Sequence, residues 1–312
     1  MQVNRYTVLA IAMVSLMAAC SKEAKQPTVE PAEEEQVQKV VFNLPSIPLV
    51  EDDLDTRASF SRDGNGFYML FEETDTLGIC PAIGSPIFFT TSDSGGSSAA
   101  FDGGAWKLRM DVAYYSYFPF IPSFYLDKTR VPINFDGQVQ QGTAYPLTKT
   151  PAFFACEGEA EGGVVTFNYK LANCYININA TLPAGTYTRM HLRLDEPLFV
   201  KKGTVDITQD PPTITPVTMT DLLTLELKDA TLAAEGTLAA YVACAPIDPR
   251  EHVLSIYFLN DEGFVFKATK NPQNAYVAGN RIGYTCAPAL DDGYSFGIAG
   301  WTQEDVIEGI AE

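Results

Sequence analysis

The sequence predicts an all-β protein, with two β-sandwich domains behind a lipoprotein signal peptide and a short tether. Three observations carry that expectation. Short runs of Val, Ile, Phe, Tyr and Thr recur through the chain, and Gly, Pro, Asn and Asp break them roughly every eight to twelve residues, the spacing of a sandwich. No stretch after the leader repeats apolar residues at helical spacing over three turns. The leader itself ends in a cysteine that directly follows an apolar run.

Residues 1–19 read as the signal peptide. Arg5 supplies the positive n-region, residues 6–19 are apolar apart from Thr7 and Ser15, and Ala18-Ala19 precede Cys20. The run is shorter than the roughly 20 residues of an ordinary membrane span, and Ser21-Lys22-Glu23 follow it. Ala-Ala-Cys is the pattern of a bacterial lipobox, with Met17 where leucine is commoner, so Cys20 is the expected lipidation site. Buried acyl chains contribute about 0.8 kcal/mol per methylene, enough for a multiply acylated cysteine to hold a soluble domain on a membrane. The rest of the chain is therefore expected to work outside the cytoplasm, tied to a membrane surface. Residues 20–36 are rich in Pro and Glu, without apolar periodicity, and read as a flexible tether.

The first domain is expected over residues 37–183. Residues 37–44 form a β-rich run ended by Pro45 and Pro48, and an acidic loop follows. Strands are predicted at residues 67–71, 77–80, 87–89 and 106–112, the last alternating with period two. Residues 164–169 and 174–180 read as the last paired strands of this domain. The second domain is expected over residues 184–312, with strands at residues 189–194, 204–207, 222–227, 238–244 and 276–284. Residues 253–268 are the clearest hairpin, turning at Asn260-Asp261-Glu262-Gly263.

A net charge of −18 repels nucleic acid and anionic headgroups, so neither is expected as a partner. The 46% hydrophobic content is enough for a sizeable core. With Cys20 acylated, Cys80, Cys156, Cys174, Cys244 and Cys286 remain, without CxxC spacing. They read as isolated buried thiols, although export leaves room for one or two disulfides. His191 and His252 lie in or beside strands, with no ligand at metal spacing. None of the common hydrolase, zinc-protease or nucleotide-binding motifs occurs. Asp63-Gly64-Asn65-Gly66 lacks the distal glutamate of a calcium loop and reads as a turn. No enzymatic activity, metal or cofactor is expected. The aromatic run Tyr114, Tyr115, Tyr117, Phe118 and Phe120 has two readings. It could stack sugars on its tyrosines, or it could be a core strand bent by Pro119 and Pro122, which is the commoner case.

The chain resembles the fimbrillin family, the type V pilin subunits of Gram-negative gut and oral bacteria. The resemblance rests on the lipobox at Cys20, Thr56-Arg57-Ala58-Ser59-Phe60, the segment from Glu73 to Ile79, and Trp106 ahead of the aromatic run. Gly137-Gln138-Val139-Gln140, the Tyr- and Gly-containing stretch from Tyr276 to Tyr284, and Gly297-Ile298-Ala299-Gly300-Trp301 complete it. It implies two tandem transthyretin-like β-sandwich domains and a lipoprotein of the outer membrane. It implies a fimbrial subunit or accessory or tip protein for adhesion. Its partners would be other subunits, joined by donor-strand exchange, and a host or bacterial surface receptor. In polymerising members an arginine-specific protease removes the first strand. Here Arg57, in an acidic polar loop, and Ala58 would flank that cut. The alternative is a monomeric surface lipoprotein that binds glycan or another ligand through loops and aromatics. The last eleven residues suit donation poorly. Val306 and Ile307 are adjacent and point to opposite faces, while Glu304, Glu308 and Glu312 would enter an apolar groove.

Overall fold

The structure is a computed structural model. It describes residues 37–291 apart from 38, 52–65, 69, 72, 82–83, 122–126 and 144–151. All of these belong to one unit, residues 35–312. Among the described residues there is no helix, and twenty-two strands follow one another. They are β1 (Lys39–Asn43), β2 (Ser46–Glu51), β3 (Gly66–Tyr68), β4 (Thr76–Pro81), β5 (Ile87–Thr90), β6 (Ser98–Ala100), β7 (Tyr114–Phe118), β8 (Val131–Asn134), β9 (Gln138–Gln141), β10 (Phe154–Glu161) and β11 (Val164–Asn168). Then come β12 (Lys170–Leu171), β13 (Cys174–Leu182), β14 (Gly185–Leu194), β15 (Phe199–Asp206), β16 (Thr213–Thr220), β17 (Leu222–Leu232), β18 (Gly236–Cys244), β19 (Leu254–Asn260), β20 (Val265–Lys270), β21 (Arg281–Cys286) and β22 (Ala289–Leu290).

These strands make four sheets. An eight-stranded sheet runs β5-β4-β7-β10-β11-β1-β6, with β12 beside β10, and draws only on the first part of the chain. A five-stranded sheet runs β18-β13-β21-β2-β3, a six-stranded one β22-β20-β19-β14-β17-β9, and a three-stranded one β16-β15-β8. Alternation sets which face is buried. In β19 the residues Leu254, Ile256, Phe258 and Asn260 point inward while Ser255, Tyr257 and Leu259 are half-buried. One hydrophobic cluster runs from Val37 to Cys286 and takes in residues of all four sheets.

The β19–β20 hairpin forms as its sequence predicts, with Gly263 at a φ of +86° in the turn. Three other expectations are corrected. Residues 106–112 form no strand. Leu108 is buried and accepts a hydrogen bond from the Val37 N–H, Arg109 N–H donates to the Tyr114 hydroxyl, and Trp106 stays exposed. An apolar residue between exposed ones therefore imitates strand alternation. The β-rich run does end before Pro45, but Pro48 stops nothing, because a second strand, Ser46–Glu51, follows with Pro48 inside it. Residues 46–48 of β2 pair with β3 and residues 49–51 pair with β21, so Pro48 sits at the changeover. Finally, β13 does not pair with β11. It lies between β18 and β21, and seven of its first eight residues avoid exposure as expected of an inner strand.

The five-stranded sheet ends at β18, whose outer edge is covered by two side chains and by the Thr143 carbonyl, which accepts from the Ala239 N–H at 2.8 Å, rather than by another strand. Gln138 and Gln140 project from β9, which itself pairs in parallel with β17. Gln138 Nε2 donates to the Phe135 and Ala243 carbonyls, 2.9 Å each, and its Oε1 accepts from the Ala243 N–H at 2.8 Å. Gln140 Nε2 donates to the Ala239 carbonyl at 2.8 Å, and its Oε1 accepts from the Tyr241 N–H at 3.0 Å. Residues 239, 241 and 243 alternate along β18, and Gln138 and Gln140 alternate along β9, so each amide meets outward-facing backbone. Both side chains are buried.

Candidate functional site: two strand slots filled by residues 39–51

The N-terminal segment contributes one inner strand to each of two sheets. β1 sits between β11, which it pairs in parallel from Lys39↔Val164 to Asn43↔Asn168, and β6, which it pairs antiparallel. Two residues later β2 enters the five-stranded sheet between β21, again in parallel, and β3. β1 is flanked on both sides over residues 41–43, whereas β2 meets β3 over residues 46–48 and β21 over residues 49–51.

Period-two alternation explains what β1 buries. Val40 and Phe42 face the core while Lys39 is exposed. The Phe42 ring stacks on Phe167 with centroids 4.8 Å apart and planes 5° apart, meets Phe101 edge-on at 4.8 Å, and lies 5.8 Å from Tyr169. The space for this stack comes from Gly158 on the neighbouring β10, where a Cβ would fall 2.7 Å from the Phe167 ring. Beneath it the Tyr169 hydroxyl and Ser116 Oγ are 2.7 Å apart, and Ser116 donates to the Gly78 carbonyl at 2.9 Å. Burial pushes the Tyr169 hydroxyl well above its ordinary range, so it stays protonated as a hydrogen-bonding group.

Backbone hydrogen bonds extend the seating past the strand ends. Lys39 N–H donates to Gly163 O, Tyr169 N–H to Asn43 O at 3.0 Å, and Leu44 N–H to Ser97 O at 2.7 Å. Asn43 Nδ2 donates to Asn168 Oδ1 at 2.9 Å. Leu44 and Ile47 are buried as well. Burying one such side chain is worth about 1.5–3 kcal/mol. Val40, Phe42, Leu44 and Ile47 together therefore contribute about 6–12 kcal/mol, as much as the whole stability of a typical domain. Emptying both slots would thus cost an amount comparable to the stability of a typical domain.

Of the residues singled out in the sequence, Cys20, Arg57 and Ala58 lie outside the described residues, as do Trp301 and residues 302–312. Tyr114, Tyr115 and Tyr117 lie on β7, an inner strand between β4 and β10. Tyr117 is fully buried and stacks on Phe153 with centroids 5.9 Å apart. It also fills the space over Gly78, where a Cβ would clash at 2.4 Å. Tyr114 is buried and bonded to the Arg109 N–H. Tyr115 is half-buried, and Lys128 Nζ lies 5.6 Å from its ring centroid. The rings of Tyr114 and Tyr117 thus belong to the core, and no stacking surface is formed by these three tyrosines together.

Among the described residues no group of three or more His, Cys, Asp or Glu is placed to hold a metal ion. Burial pushes the Cys80 thiol up to about 12, and Cys156 higher still, which makes both poor nucleophiles. His191 is buried with Nδ1 2.9 Å from Thr224 Oγ1, while His252 pairs with Asp195 at 2.8 Å near the surface. Sequence reading missed β2 and therefore the second slot. The apolar Ile47, Leu49 and Val50 between Ser46 and Glu51 were the available signal, and Pro48 masked it.

No protein-family model matches the chain, and no curated protein matches it. Solved structures do. A proposed cell adhesion protein from Bacteroides uniformis is 15% identical, with a TM-score of 0.49 over 71% of this chain and 91% of that one. Another from Bacteroides fragilis is 14% identical, with a TM-score of 0.47 over 85% and 98%. A third, from Bacteroides ovatus, is 13% identical, with a TM-score of 0.51 over 82% of this chain and 95% of that one. At that identity the likeness to the Bacteroides ovatus protein is one of fold, and it extends over most of both chains.

Proposed function

We propose that this chain is a fimbrillin-like surface adhesion protein. It is exported as a lipoprotein through Cys20, held at the outer membrane, and built into a fimbria as an accessory or tip-proximal subunit. Its two tandem transthyretin-like sandwiches are organised on the sheet of residues 39–171 and on the sheets that β13 to β22 build, with β2, β3, β8 and β9 crossing from the first to the second. The observation that carries this reading is the seating of residues 39–51. They occupy inner slots of two sheets and lead straight into the acidic stretch that contains Arg57. Cleavage between Arg57 and Ala58 would detach β1 and β2 together. The slots would then offer unpaired edges of β11 and β21 and an apolar floor around Phe167 to an incoming strand.

Residues 302–312 suit donation poorly, because Glu304, Glu308 and Glu312 would be buried in the recipient groove. Shearing cells and separating the surface material without boiling tests the assembly reading. A heat-resistant ladder that contains this chain is expected. A single band at the monomer position, from cells whose protease is active, would favour a monomeric surface lipoprotein instead.

A further inference from the structure

Cys174 opens β13, and Cys244 closes β18, and the antiparallel register sets them directly opposite one another. Opposed residues of an antiparallel pair have Cα atoms about 4.5–5.5 Å apart. A disulfide takes Cα separations of about 4.4–6.8 Å. Their sulfurs are 3.3 Å apart, and both residues are wholly buried. Cys174 Sγ is also 3.4 Å from the Cys244 carbonyl and 3.6 Å from that of Ala245, acceptors for a thiol that is itself only a weak donor. The register thus sets the two cysteines at a separation a disulfide accepts, and joining them takes the sulfurs from 3.3 Å to the bonding length of about 2.05 Å. The alternation of the two strands alone would not reveal this, since the cysteines are seventy residues apart in sequence.

We infer that Cys174 and Cys244 are joined by a disulfide in the exported protein, a staple across the β13–β18 edge of the five-stranded sheet. This rests on the export reading above, because disulfides persist outside the cytoplasm and not within it. The oxidant is a dithiol–disulfide carrier of the cell envelope. One cysteine thiolate attacks the carrier's disulfide, forming a mixed disulfide and releasing one carrier thiol. The second cysteine then displaces the other carrier thiol, so the two cysteines lose two electrons and two protons and the carrier leaves as a dithiol. Burial pushes the Cys244 thiol well above its ordinary range and suppresses its thiolate in the folded sheet. The bond therefore forms while β13 and β18 are still assembling. Its position matters for the proposed function. β13 is next to β21, whose other neighbour is β2. A covalent β13–β18 pair keeps that side of the sheet together when β2 leaves its slot.

The test isolates the full chain from the cell envelope, unfolds it in denaturant with iodoacetamide, and maps its peptides by mass before and after reduction. In parallel, the purified chain is reduced, unfolded and refolded in oxidised and reduced glutathione. The expected result in both is a single linked peptide pair, Cys174 with Cys244, lighter by two hydrogens than the reduced pair, with Cys80, Cys156 and Cys286 alkylated. The Cys174→Ala chain should show no linked pair. Alkylation of Cys174 and Cys244 in both samples would overturn the inference on geometry. So would a bond from either to another cysteine. A bond on refolding but not in envelope material would overturn it for the cell and locate the fault in the export reading.

Discussion

Replacing Gln138 by Leu keeps the size of a buried side chain but removes both ends of its amide. Three buried backbone groups lose their partner: the Phe135 carbonyl, the Ala243 carbonyl and the Ala243 N–H. A buried polar group left unpaired costs about 1–3 kcal/mol. The expected loss for Gln138→Leu is therefore about 3–6 kcal/mol, allowing for some relaxation of this sheet edge. Gln141 is the control. It lies on the same strand, but it is exposed and bonds the Asp229 carboxylate at the surface, so Gln141→Leu should cost below about 1 kcal/mol. Urea unfolding followed by tyrosine and tryptophan fluorescence measures both. A Gln138→Leu loss within about 1 kcal/mol of the Gln141→Leu loss would refute the reasoning that these amides replace a missing strand.

Burial lowers the His191 pKa from 6.5 to about 4, with the charge of Arg189 adding to the effect, so the folded chain binds its proton later than the unfolded chain does. Stability should be full above pH 6.5 and fall as pH drops towards 4, by about 2 kcal/mol between pH 7 and pH 5. His191→Gln should remove that part of the pH dependence, and an unchanged urea midpoint slope against pH would contradict it. Phe42→Ala, which empties the stack against Phe167 and Phe101, should cost about 3–5 kcal/mol in the uncut chain by the same assay. Cys20→Ala should leave precursor or soluble periplasmic protein, and its continued partitioning with outer membrane in detergent would count against lipid anchoring.

Sequence made the all-β character legible wherever burial was one-sided. Leu254, Ile256 and Phe258 alternate with half-buried neighbours, and Gly263 marks the turn, so the β19–β20 hairpin could be read directly. Inner strands gave a different signal. β13 is buried on both faces, so its alternation said nothing about its neighbours, and its parallel partner β21 lies about a hundred residues away. The slots were half legible. β1 stood out through Val40 and Phe42, whereas β2 hid behind Pro48, whose cost vanishes because its pairing changes sides there. In the sequence Gln138 and Gln140 stand out only as part of the Gly137-Gln138-Val139-Gln140 segment. Only the facing edge of β18 gives them their role, and nothing local encodes that edge.

The central claim is that residues 39–51 are a removable plug in two sheets that a partner's strand replaces. The mature N-terminus of the chain within surface polymers tests it most directly. Material sheared from cells with an active arginine-specific protease, separated as the heat-resistant ladder and sequenced from its N-terminus, should begin at Ala58. A ladder whose chains begin at the acylated Cys20, with residues 39–51 still attached, would contradict the account.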